Sequence, residues 1–401
     1  MKLEFIQNLV KPADSKIVLL VLDGLGGLPS GPQGRTELEA ANTPNLDELA
    51  RRGICGLHVP VGPGITPGSG PGHLGLFGYD PTEYKVGRGV LSALGVEFDL
   101  QHGDVAARGN FCTVDDEGLV TDRRAGRIST EKNEELCELL REIEVEGAEI
   151  HIETVKEHRM LFVLRGEGLS DEINDTDPQE TGKKPEEPVP ATEAAQKTSR
   201  LVKEFLNQAA EKLADHAPAN MLLLRGFAQR PGWPTFQEAF GLRSAAIASY
   251  PMYRGVAKLL GMDTLEGPAS IEEKAAVARE HWDDYDFFFI HKKSVDSRGE
   301  DGDFEAKVRA IEEADAQLQA LLDLEPDVVI VTGDHSTPAQ LAYHSWHPVP
   351  VLLWSEQCRT DGVETFGERD CLRGGLGARL PAVDLMPLAL ANALRLDKFG
   401  A

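Results

Sequence analysis

Two apolar runs, each closed by an aspartate, set the tightest limit on how this chain can fold. Lys16-Ile17-Val18-Leu19-Leu20-Val21-Leu22 ends on Asp23 and Gly24, and Ile330-Val331-Thr332-Gly333 ends on Asp334 and His335, followed by Ser336-Thr337-Pro338. A strand with no polar face suits a parallel sheet covered on both sides, and ligands of such sheets gather beyond the carboxyl ends of the strands. The two acids can therefore converge. Taken singly, either aspartate reads equally well as a cap for whatever follows it, so a site needs further ligands.

A third apolar strand, Phe287-Phe288-Phe289-Ile290, runs into His291-Lys292-Lys293-Ser294-Val295-Asp296-Ser297-Arg298-Gly299-Glu300, read as a loop dense in acids that continues to Asp303. His344 and His347 flank Ser345-Trp346 further on. Asp23, Asp296, Glu300, Asp334, His335 and His344 together offer oxygen and nitrogen donors for two divalent ions. Such a mixed set admits Mn²⁺, Co²⁺, Zn²⁺ or Mg²⁺ without choosing sharply among them. A nucleophile is also present. Pro67-Gly68-Ser69-Gly70-Pro71-Gly72-His73-Leu74 reads as a glycine-rich turn opening a short helix, with Ser69 at or beside its N-terminus. Backbone N–H groups and the helix dipole there favour an anion, and a nearby cation can hold the hydroxyl as an alkoxide. A serine in such a turn is otherwise an ordinary turn residue.

Charge narrows the partners. The 401 residues carry 41 Lys plus Arg against 66 Asp plus Glu, a net charge of −25, which argues against nucleic acid or an anionic membrane surface. An anionic substrate needs a local reversal of that field, and Asp122-Arg123-Arg124-Ala125-Gly126-Arg127 is the clearest basic cluster, although a basic run is commonly just a solvated face. Cys55, Cys112, Cys137, Cys358 and Cys371 are scattered and odd in number, as expected of reduced thiols in a cytoplasmic protein. The opening residues lack the apolar core of a signal peptide, and no stretch approaches the roughly 18 apolar residues of a membrane span.

Strands and helices alternate at both ends of the chain. Residues 43–53 read as a helix with Thr43 as N-cap, Pro44 in the first turn and Gly53 at the stop, and a second helix is expected from Phe304 to Leu322 with Asp303 as its cap. Strands follow at Asp327 to Val331 and Val349 to Leu353. Between the ends, acidic helical stretches such as Glu131 to Glu146 alternate with short strands such as Met160 to Leu164, and Asp171 to Pro190 reads as a loop. The pattern predicts one α/β domain with a parallel-rich sheet, split by an insertion: residues 1–86 and 235–401 against residues 87–234.

The ordered series of motifs resembles the archaeal-type cofactor-independent (2,3-bisphosphoglycerate-independent) phosphoglycerate mutases of the alkaline phosphatase superfamily. The likeness runs from Val21-Leu22-Asp23-Gly24 through Thr43-Pro44-Asn45-Leu46-Asp47, Gly68-Ser69-Gly70 and Gly87-Arg88-Gly89. It continues through Asp122-Arg123-Arg124-Ala125-Gly126-Arg127, His158-Arg159 and Asp175-Thr176-Asp177-Pro178 to Thr332-Gly333-Asp334-His335-Ser336-Thr337-Pro338. It implies an alkaline-phosphatase-like parallel-rich sheet sandwiched by helices, with an inserted smaller α/β mutase domain that closes over the metal domain. It further implies interconversion of 3-phosphoglycerate and 2-phosphoglycerate through a phosphoserine at a two-metal site.

By position, Asp23, Ser69, Asp334 and His335 match the residues around one metal, and Asp296 and His344 two ligands of the other. Glu300 stands where relatives carry a His, so a harder, charged donor replaces an imidazole there. The resemblance places Ser69, Asp177 and Lys293 in catalysis, with Asp177 handling the proton of the substrate hydroxyl; read alone, Asp177 is equally a turn residue ahead of Pro178. Substrate anions fall to Arg123, Arg124, Arg127, His158, Arg159, Arg225 and Arg230, since a guanidinium pairs with carboxylate or phosphate in bidentate fashion. Alternatives stay open: a metal-dependent phosphatase or another phosphomutase of the superfamily, or a non-catalytic binder of phosphorylated metabolites. Monomer and homodimer also stay open.

Overall fold

The structure is a computed structural model that describes residues 2–30 and 34–400. Its strands are, in chain order, β1 (Ile17–Leu22), β2 (Ile54–Val59), β3 (Val105–Val114), β4 (Val120–Asp122), β5 (Glu149–Lys156), β6 (Arg159–Arg165), β7 (Met221–Gln229), β8 (Ser244–Ile247), β9 (Asp263–Thr264), β10 (Phe287–Lys292), β11 (Val328–Thr332), β12 (Val349–Ser355) and β13 (Gly377–Pro381). The chain divides into two compact units, Met1–Lys85 with Trp233–Ala401, and Val86–Gly232.

The larger unit holds an eight-stranded sheet in the order β13-β2-β12-β11-β1-β10-β8-β9. β1, buried along its whole length, lies between β10 and β11 and is parallel to both. Only β12 runs against its neighbours, antiparallel to β11 and β2. Helices cover both faces, which is why the central strands carry no polar side. Val18, Leu20 and Leu22 join one core with Leu46, Leu49, Ile311 and Leu318. On the other face Phe289 meets Phe77 at 4.9 Å between ring centres, and Phe236 meets Phe287 at 4.7 Å.

Register positions the site. Val21 lies opposite both His291 and Thr332, so the residues just beyond β1, β10 and β11 emerge side by side. The acid-rich segment after β10 is a helix, Ser294–Glu300, where a loop was expected, and this puts Asp296 and Glu300 one turn apart on the same helix face. The expected helix from Phe304 to Leu322 is two helices, Phe304–Gln317 and Gln319–Leu322, and Asp303 caps the first through Ala306 N at 2.9 Å. Helix Pro44–Arg52 starts as expected, yet the Thr43 side chain makes no capping bond. Asp315 takes that role from the other helix, accepting from Leu46 N at 2.7 Å and Asn45 N at 3.3 Å.

The smaller unit is a five-stranded sheet in which β3 pairs antiparallel with β4, β6 and β7, and β5 extends it beyond β6. Helices Thr130–Arg141 and Gln196–Leu213 pack on one face, burying Leu136, Leu140, Val202 and Phe205 against Ala107, Phe111 and Phe162. Within 171–190 the described backbone forms no helix or strand, only a bridge between Ile173 and Pro190. Among the described residues no helix is long and apolar enough to cross a membrane.

Candidate active site

Beyond β1 and β11, Asp23, Asp334 and His335 are fully buried, and donor atoms from all three lie within 4.8 Å of one another. His335 Nε2 faces Asp334 Oδ2 at 3.2 Å, Asp23 Oδ1 at 3.4 Å and Ser69 Oγ at 3.4 Å. Ser69 is the first residue of helix Ser69–Leu76. The helix rides directly on the Asp334 loop: a Cβ at Gly72 would lie 2.4 Å from the Asp334 carbonyl oxygen, so only glycine permits this approach.

Asp23 Oδ1 and Asp334 Oδ2 are buried and have no hydrogen-bond partner. Two desolvated carboxylate oxygens without donors are costly unless a cation takes them, so these residues fit a divalent ion. The other oxygens are occupied. Asp23 Oδ2 accepts from the Tyr253 hydroxyl at 2.5 Å and has Lys293 Nζ at 3.3 Å, and Asp334 Oδ1 accepts from Gly24 N at 3.2 Å. His73 Nδ1 lies 3.2 Å from Asp334 Oδ2 but bonds to the Ser69 carbonyl at 2.8 Å.

A second group, Asp296 with His344 and again His335, also has donor atoms within 4.8 Å. His344 Nδ1 bonds to the Pro67 carbonyl at 3.0 Å, which leaves Nε2 bare and turned toward Asp296 Oδ1 at 3.8 Å. A bare imidazole nitrogen beside a carboxylate again fits a metal. Glu300 stands outside this tight group, half exposed, with Oε1 3.7 Å from His344 Nε2. Lys293 Nζ bonds Asp296 Oδ2; burial alone would depress this lysine, but the charges of Asp23 and Asp296 outweigh it and hold the ammonium above its ordinary range.

The smaller unit collects cations. Asp177, buried, receives a two-pronged bond from Arg123, Nε to Oδ1 at 2.9 Å and NH2 to Oδ2 at 2.6 Å, and a third from Arg225 NH1 at 3.3 Å. Burial pushes its carboxyl up, but the Arg123 bond, the Gln179 backbone N–H and both guanidinium charges bring it below the usual range. Arg124 and Arg127 are exposed nearby. Burial, then the charge of Arg159 and, after the opposing Glu157, those of Arg124 and Arg127, lower His158. Arg230 lies elsewhere, donating to the Leu100 carbonyl at 3.4 Å beside a hollow lined by His102 and Arg165.

Strand pairing adds residues that sequence reasoning did not assign. Arg108 lies opposite Arg225 across β3 and β7, and Asn110, two residues on, lies opposite Arg159 across β3 and β6. All four therefore share the sheet face opposite helices Thr130–Arg141 and Gln196–Leu213. Burial, followed by the charges of Arg159, Arg88 and Arg225, lowers Arg108, and Arg225 Nε and Asn110 Oδ1 are buried without partners. The available signal was a period of two through Arg108 and Asn110, but it does not reveal which arginines a sheet brings together. In the larger unit Tyr253, His291 and Thr337 were equally unassigned. His291 Nε2 sits 3.2 Å from Asp23 Oδ2.

Fold and site together define a class: α/β enzymes that act on an anionic group at the carboxyl edge of a mostly parallel sheet. A model of the 2,3-bisphosphoglycerate-independent phosphoglycerate mutases matches residues 50–220. A protein of Aquifex aeolicus named "probable 2,3-bisphosphoglycerate-independent phosphoglycerate mutase" is 51% identical over 409 residues, covering 100% of both chains. One of the same name from Thermus thermophilus is 52% identical over 402 residues, covering 99% of this chain and 98% of its own. The solved cofactor-independent phosphoglycerate mutase of Thermoplasma acidophilum superposes with a TM-score of 0.79 at 32% identity, over 94% of this chain and 100% of that one. The chain belongs to the family of 2,3-bisphosphoglycerate-independent phosphoglycerate mutases.

Proposed function

We propose that the chain interconverts 3-phosphoglycerate and 2-phosphoglycerate through a phosphoserine at Ser69. Two divalent cations are held, one by Asp23, Ser69, Asp334 and His335, the other by Asp296, His344 and Glu300. The observation that carries this reading is the Ser69 hydroxyl at the start of its helix, 3.4 Å from His335 Nε2 and beside carboxylate oxygens without partners. When bound, the cations draw charge from the serine oxygen and from the phosphoryl oxygens, the two effects an in-line displacement needs.

The rest falls to the chain's own groups. Ser69 Oγ gives up its proton and bonds to phosphorus, the bond from phosphorus to the substrate oxygen breaks, and that oxygen takes a proton. The other hydroxyl of the retained glycerate then gives up a proton and bonds to phosphorus, the bond from phosphorus to Ser69 Oγ breaks, and the serine oxygen regains a proton. Lys293, kept charged by its two aspartates, adds positive charge beside Asp23 and Asp296. Arg123, Arg124, Arg127, His158, Arg159 and Arg225, joined by Arg88 and Arg108, recognise the substrate's carboxylate and phosphate. Arg230 keeps this role only if it leaves its present carbonyl partner. Asp177 can carry the hydroxyl proton once Arg123 lets go of it; while clamped, it is an anchor for arginines.

Rapid-quench labelling with 3-phosphoglycerate and peptide mapping tests the proposal. Phosphate on Ser69 and turnover without added 2,3-bisphosphoglycerate are expected. Phosphate on another residue, a strict need for the bisphosphate, or free phosphate as the main product would overturn it.

A further inference from the structure

Thr337 touches both candidate metal groups with one oxygen. Its Oγ1 lies 2.6 Å from Asp296 Oδ1 and 2.9 Å from His335 Nδ1, and the residue is completely buried. A hydroxyl has a single proton, and an ionised carboxylate only accepts, so that proton goes to Asp296. The oxygen must then accept from His335, which places a ring proton on Nδ1. A neutral His335 therefore keeps Nε2 bare, and Nε2 is the atom that faces Asp23, Asp334 and Ser69.

The backbone holds the hydroxyl in this place. Lys307, wholly buried, gives its ammonium protons to the carbonyls of Thr337 at 2.8 Å, Gly24 at 2.9 Å and Gly26 at 3.0 Å, tying the loop after β11 to the loop after β1. Thr337 N donates to the Gly26 carbonyl at 3.0 Å. Gly24, at φ +66°, covers the bond: a Cβ there would sit 2.7 Å from Thr337 Oγ1 and 2.6 Å from Asp296 Oδ1.

The geometry points to Thr337 as a positioning residue that couples the two cation sites, aiming the Asp296 carboxylate for one and fixing the His335 tautomer for the other. This rests on the two-cation reading above. Loss of the hydroxyl weakens both sites together, where loss of an ordinary ligand weakens one.

The test is titration of chelator-stripped protein with Mn²⁺ by calorimetry, for wild type, Thr337→Val, Thr337→Ala and Thr337→Ser, with Tm in chelator as the folding control. Wild type is expected to take up two equivalents. Val and Ala weaken both by about 10–100-fold, the usual effect of removing a group that orients a ligand, and Ser stays near wild type. In ¹⁵N-histidine-labelled, Zn²⁺-loaded wild type, long-range ¹H–¹⁵N spectra should put the His335 ring proton on Nδ1, a readout that needs no variant to fold. Unchanged affinities in the Val and Ala variants, loss at one site only, or a proton on Nε2 would overturn the inference alone. Wild type that takes up no second ion would overturn the two-cation reading and this inference with it.

Discussion

At the carboxyl edge of the larger sheet, Asp23, Asp296 and Asp334 are buried, and two of their oxygens have no donor. On the face of the smaller sheet opposite helices Thr130–Arg141 and Gln196–Leu213, Arg108, Arg159 and Arg225 gather, and the buried Asp177 pairs with Arg225 and with Arg123. In a chain of net charge −25, one unit is short of cations and the other is short of anions. On the function proposed above each deficit is a ligand requirement, and the two differ: compact divalent charge fits the larger unit, and a diffuse anion that can take paired guanidinium bonds fits the smaller.

The strongest way to break the contrast is to remove the hydroxyl of the acidic unit that is proposed to do covalent chemistry. Ser69→Ala should lower kcat on the order of 10⁴-fold or more, with both Mn²⁺ still taken up, the first more weakly, and Tm close to wild type. Coupled-enzyme assay and calorimetry on the same preparation check it. Retained turnover would make the serine a turn residue after all.

Arg108→Ala should act in the opposite unit and in the opposite sense on stability. Each charge-assisted bond to substrate is worth about 1.5–3 kcal/mol, so kcat/KM should fall roughly 10–100-fold, while metal content is unaffected. Because Arg108 feels Arg88, Arg159 and Arg225 and no described acid, its removal should leave Tm unchanged or raise it. A lower Tm with normal kinetics would make it a structural residue.

The two regions were not equally legible in the sequence. Apolar strands that end in Asp23 and Asp334 announce both the sheet and the edge where ligands collect, because strand ends adjacent in a parallel sheet are adjacent in space. The arginine face depends on antiparallel register: nothing near Arg108 in the chain says that Arg225, more than a hundred positions later, will sit across from it. The Asp315 cap on helix Pro44–Arg52 was hidden for the same reason, since its donor and acceptor come from distant segments. The helix at Ser294–Glu300 was masked by its own composition, with Gly299 and polar residues that resemble a turn.

Acid should separate the regions further. Asp177 is held below its ordinary range, near 3.9 for a free Asp, so its pairing with Arg123 and Arg225 adds stability that is fully present above about pH 4 and fades as pH falls through the depressed value. Asp177→Asn should therefore lower Tm at pH 7, and the gap to wild type should shrink steadily below about pH 4. A gap independent of pH would mean that the arginines bond Asn as well as they bond a carboxylate.

The smallest effect is expected at Glu300, where the comparison is most finely drawn. It is the one acid of the proposed cation sites that is half exposed, and Asp296, His335 and His344 form a tight group without it. A carboxylate in partial contact with water contributes less than a buried one, so Glu300→Ala should weaken the second Mn²⁺ by less than about tenfold and leave the first unchanged. Glu300→His replaces an oxygen donor with a softer nitrogen and should shift preference from Mn²⁺ toward Zn²⁺ in competition titrations. If the Ala variant loses the second ion outright, Glu300 closes onto it on binding and belongs with the buried acids. If both variants bind Mn²⁺ and Zn²⁺ as wild type does, Glu300 is a solvated neighbour, and the second site is Asp296 with the two stacked imidazoles, whose rings lie 3.6 Å apart.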